Sequence, residues 1–109
     1  MSPTLPDIPV DTMVEFLIRL LNTPSPTGYA ARAIAECEEA FRAFPALKLS
    51  RNRKGALLVE WPGLSETAPR GLTAHTDTLG AMVKDIKSNG RLRLTQIGSY
   101  AWNSVEAKV

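Results

Sequence analysis

The stretch Gly71-Leu72-Thr73-Ala74-His75-Thr76-Asp77-Thr78-Leu79-Gly80 decides how the chain is read. Its first four residues are short, nearly continuous in apolar and β-tolerant side chains, and bounded by Arg70 and a polar group, a pattern that predicts a buried central strand. His75, the only histidine of the 109 residues, falls at the carboxyl end of that strand. In open α/β sheets that end is where loops diverge and leave a crevice for ligands. Asp77, two residues on, could hold the imidazole or share a metal with it, and Gly80 lets the backbone turn tightly.

Outward from this group, the N-terminal side reads as helical and then as a hairpin. Val10, Met13, Val14, Leu17, Leu20 and Leu21 recur at helical spacing, with Asp11, Glu15, Arg19 and Asn22 on the opposite side. Asn22 to Gly28 breaks the helix, because Pro24 and Pro26 remove backbone donors and push their predecessors out of the helical region. A second helix follows, with Ala30, Ala33, Ile34, Cys37, Phe41 and Phe44 on its apolar face, Glu38 spaced to pair with Arg42, and Pro45 as its stop. Glu36, Glu38 and Glu39 read as its solvated side. Leu47 to Arg51 and Ala56 to Trp61 form a predicted hairpin about Asn52-Arg53-Lys54-Gly55, so Arg51, Arg53 and Lys54 read as a solvated tip.

Beyond Asp77 the texture becomes all-β. Leu79 to Ile86 predicts a strand, Ser88-Asn89-Gly90 a hairpin turn, and Arg91 to Thr95 its partner, with Gly98 breaking the pattern. Val105, Ala107 and Val109 alternate with Glu106 and Lys108, predicting a further strand that runs to the last residue. Trp61 and Trp102 are read as core or interface packing, and Lys84 and Arg93 as ordinary outward strand residues.

Composition bounds the function classes. With 44% hydrophobic and 22% charged residues the chain has the make-up of a folded domain, and its length suits one compact unit or part of a larger one. A net charge of +2, with the basic residues dispersed among eleven acids, gives no footprint for nucleic acid or a membrane surface. The N-terminus lacks the basic start and apolar run of a secretory signal, and no stretch is long enough to span a bilayer, so the cytoplasm is the expected compartment. Cys37 is the only cysteine, which leaves no internal disulfide and points to a packed thiol.

The loop Thr23-Pro24-Ser25-Pro26-Thr27-Gly28-Tyr29, the hairpin from Asn52 to Leu57, the run Leu72 to Val83 and the later Ile86, Gly90, Leu92 and Ile97-Gly98 together resemble the M42 family of metallo-aminopeptidases over most of the chain. The resemblance implies an α/β fold: the N-terminal part of a phosphorylase/hydrolase-like co-catalytic zinc peptidase domain over 1–78, then the start of an inserted β assembly domain over 79–109. It implies hydrolysis of N-terminal residues from peptides with two divalent ions, zinc or cobalt, as cofactors. His75 would be a metal ligand, Asp77 the catalytic carboxylate that orients it, peptides the substrate, and homo-oligomers the assembly. The family's bridging carboxylate, second histidine and glutamate base have no counterpart here, since Asp85 and Glu106 are the only acids after Asp77. The expectation is therefore a chain inactive by itself. The M20 carboxypeptidases and deacylases, which share a His-x-Asp group after a strand, and a non-catalytic interaction module are the alternatives.

Overall fold

The computed structural model describes residues 6–106. Helix α1 runs Val10–Leu21 and α2 runs Ala31–Arg42. Strands β1, Lys48–Arg51, and β2, Leu57–Glu60, form one antiparallel hairpin; β3, Gly80–Ile86, and β4, Leu92–Ile97, form another. A single turn of 3-10 helix, Trp102–Ser104, follows.

Each element ends where its chemistry runs out. At the end of α1, Thr23 Oγ1 donates to Arg19 O at 3.0 Å, satisfying a carbonyl the helix terminus would leave open, and Asn22 Nδ2 adds a 2.8 Å bond to Ile18 O, which also accepts from the Asn22 amide. The β1–β2 turn is held by Asn52, whose side-chain oxygen accepts from the Lys54 and Ala56 amides at 3.0 and 2.9 Å, with Gly55 at φ +85°. In the second hairpin Gly90, at φ +79°, closes the turn between Lys87 and Arg91, and an irregularity between Val83 and Asp85 shifts the register beside Lys84. Its far end is fastened by Tyr100, whose hydroxyl donates to Gly80 O at 2.8 Å while its own carbonyl accepts from Gln96 Nε2 at 2.6 Å.

Ion pairs link the helices and the first hairpin. Arg19 pairs with Glu36 at 3.0 Å across α1 and α2. Glu38 accepts from Arg42 Nη2 at 2.8 Å and from Arg51 Nε at 2.7 Å, so it bridges α2 to β1. Glu38 is partly covered by these contacts, whereas Arg51 stays exposed, as its solvated reading expected. Arg51 in particular holds the Glu38 carboxyl below its ordinary range.

Two expectations are corrected. Gly71 to Ala74 is neither a strand nor buried: no ladder forms there, and Leu72 is 98% exposed. A central strand exists only between partners that take up its N–H and C=O groups and cover both faces, and the described residues place none beside it. Val105 and Glu106 continue a turn rather than a strand, since Ser104 donates through both N and Oγ to Ala101 O, a local bond that competes with ladder pairing. The rest of that predicted strand, 107–109, lies outside the described residues.

Among the described residues only Ala33 and Ser25 are buried, and α1 buries none of its apolar stripe. The radius of gyration is 19.4 Å, where a compact domain of this length would have about 13 Å. Apolar faces designed by helical and strand periodicity are thus present but uncovered, including Ile8, Val10, Met13 and Leu17 along α1. Cys37 is half-buried, and burial first, then Glu36, pushes its thiol up, which agrees with a packed rather than reactive side chain. Trp102 meets Tyr100 edge to face at 5.6 Å, whereas Trp61 is 80% exposed.

Candidate active site

The site is built where the loop between the helices crosses the segment that leads into β3. Pro24 and Pro26 keep that loop extended, Tyr29 N donates to Pro26 O at 2.8 Å, and Gly28 at φ +90° completes the turn. Thr78 N donates to Ser25 O at 2.8 Å, and Pro26 and Thr78 form an isolated parallel bridge. Gly80 lies directly under Pro26: a Cβ there would sit 2.6 Å from Pro26 Cβ. A glycine is needed at 80 for this close approach, not for a left-handed backbone.

The clamp brings His75, Asp77 and Thr27 together. Nδ1 of His75 donates to Oδ1 of Asp77 at 2.8 Å, and the Thr27 hydroxyl donates to Oδ2 at 2.7 Å. Hydrogen bonds from Thr27, and then from His75, hold the Asp77 carboxyl below its ordinary range. An ionised carboxylate only accepts, so the ring nitrogen facing it carries a proton, and whenever the ring is neutral the lone pair is on Nε2. The ring is 83% exposed and borders an open depression of about 260 Å³ shared with Ala30, Ile34, Lys54 and Ala56.

The two residues singled out by spacing therefore do meet, in the arrangement by which a carboxylate orients a metal-binding histidine. Thr27 was not legible as a partner: it stands fifty positions from Asp77, and nothing in the loop's residue types says which way its hydroxyl turns. Among the described residues no group of three or more His, Cys, Asp or Glu side chains converges. A catalytic zinc takes three protein ligands. One ligand with its orienting carboxylate fits a metal; a complete site is not formed by these residues.

Residues 55–109 match the family model described as M42 glutamyl aminopeptidase, and the chain belongs to that family. The chain is also 41% identical over 95 residues, 87% of its length, to YhfE of Bacillus subtilis (strain 168), named provisionally as an aminopeptidase. It spans 27% of the length of that relative. Family membership disfavours the M20 alternative. No described helix is long and apolar enough to cross a membrane.

Proposed function

We propose that the chain is the N-terminal part of a metal-dependent aminopeptidase that hydrolyses N-terminal residues from peptides, with His75 as one metal ligand and Asp77 as the carboxylate that orients it. The observation that carries this reading is the 2.8 Å contact between His75 Nδ1 and Asp77 Oδ1, which turns a free Nε2 outward in a chain of the M42 family. When bound, two divalent ions, zinc or cobalt, would supply an activated water and positive charge for the tetrahedral oxyanion. What this chain contributes is narrower: Asp77 restricts the imidazole to one tautomer and one orientation, and the depression beside it leaves room for a ligand. Segment 79–109, with the β3–β4 hairpin, is read as the start of a β assembly domain, homo-oligomers as the assembled state, and the cytoplasm as the compartment.

Because the described residues bring only one ligand to the site, the 109-residue chain is expected to be inactive by itself. Purified chain should release no free amino acid from peptides and retain zinc below one equivalent after desalting; stoichiometric retention with turnover refutes that. The function is tested by placing this chain's matching 95 residues into YhfE in place of its own. The chimera should hydrolyse aminopeptidase substrates, and H75A should reduce its kcat/KM by about 100-fold or more, at or beyond the range seen for lesser disturbances of metal sites. A chimera whose activity is indifferent to H75A overturns the reading. A metal-free 109-residue chain that forms a stable, defined oligomer would favour the non-catalytic module instead.

A further inference from the structure

The two hydrogen bonds on Asp77 are not equivalent in what they can enforce. A carboxylate turns easily about its last torsion, which has broad, two-fold preferences. One bond to a ring that is itself 83% exposed leaves that torsion free; a second bond, to the opposite oxygen and from a fixed donor, does not. The Thr27 hydroxyl is such a donor. Its side chain is β-branched and stiff at χ1. Its backbone is held on one side by the turn from Pro26 to Tyr29 and on the other by the pairing of Ser25 and Pro26 with Thr78. Thr27 stands ahead of Ala30, the N-cap position of α2, so its hydroxyl is not engaged by the helix end and reaches across to Asp77.

We propose that Thr27 is a positioning residue: by donating to Oδ2 it sets the Asp77 carboxylate so that Oδ1 holds His75 as the Nδ1–H tautomer, with the Nε2 lone pair presented outward. The inference deepens the peptidase reading, on which it rests only for the identity of the ligand that meets Nε2. It predicts that Thr27, not the His-x-Asp spacing alone, sets which nitrogen of the neutral imidazole carries the proton.

The test uses the whole 109-residue chain labelled with 15N, in which His75 gives the only imidazole signals. At a pH high enough that the ring shifts no longer change on further addition of base, the two ring nitrogen shifts report the tautomer directly. The wild type and T27S should show Nδ1 protonated as the major form. T27V and T27A should lose that bias and give the averaged shifts of a free imidazole. T27S and T27A both lack the γ-methyl and differ only in the hydroxyl, so this pair decides the matter if T27V disturbs the Thr78 amide. Unchanged shifts in both hydroxyl-less variants, or a wild-type ring with free-imidazole shifts, overturn the proposal. Neither outcome bears on metal ligation, which the H75A chimera tests separately.

Discussion

Substituting Gly80 by alanine sets two opposing effects against each other, and the close approach to Pro26 decides between them. Gly80 has no positive φ, so an alanine fits the backbone and would by itself stabilise by about 0.4–1 kcal/mol through a less flexible unfolded chain. Its Cβ, however, would lie 2.6 Å from Pro26 Cβ, where carbon atoms favour about 3.5–4.0 Å. The obstacle is a proline ring carbon beside the backbone, which cannot swing aside. The loop would have to retreat by about 1 Å, which stretches a 2.8 Å bond such as Thr78 N to Ser25 O towards about 3.8 Å, beyond hydrogen-bonding range. Overpacking of this kind costs about 1–3 kcal/mol, so the net expectation is a local loss of about 1–2 kcal/mol, a factor of roughly 5–30 in the closed-to-open ratio. Amide hydrogen exchange at Thr78 reads this: G80A should lower its protection about 5–30-fold. Gly71→Ala, where a Cβ would meet nothing within 4 Å, should leave it unchanged. Equal or greater Thr78 protection in G80A refutes the clamp.

Gly98 stands at φ +87° with a prospective Cβ 2.7 Å from Leu79 Cδ2; because that side-chain end can move, G98A should cost mainly the left-handed backbone term, about 1–2 kcal/mol, seen as faster amide exchange in β4. Y100F removes the donor to Gly80 O and should cost about 0.5–1.5 kcal/mol, measured by exchange at the β3–β4 ladder, with no change in β1–β2. Glu38 has its folded-state pKa depressed by Arg51, so its contribution is present above the ordinary glutamate pKa and is lost as pH falls through the lower, folded value. An acid titration of α2 and β1 amide signals should show that loss, and E38Q should flatten it; an identical acid limb in E38Q counts against the bridge.

Both helices, both hairpins and the pairing of His75 with Asp77 were legible because each rests on local signals: 3.6-residue apolar spacing, prolines that interrupt it, Asn and Gly at turns, and a two-residue separation. The second partner of Asp77 was not. Thr27 reaches it through a loop placed by Pro26 against Gly80, a contact that residue types do not announce. The bond between Glu38 and Arg51 was not legible for the same reason, since it spans two elements.

By itself, then, the sequence determined which segments become helices and hairpins and that one imidazole and one carboxylate stand together, because torsional preference and periodicity act over a few residues. Only the tertiary structure decided that Gly71 to Ala74 lies exposed and unpaired, that the apolar faces are uncovered, and that a threonine completes the carboxylate's hydrogen bonds. A strand needs neighbours to accept its backbone bonds, and a hydroxyl needs a rigid approach to choose its acceptor; both are properties of packing, not of spacing.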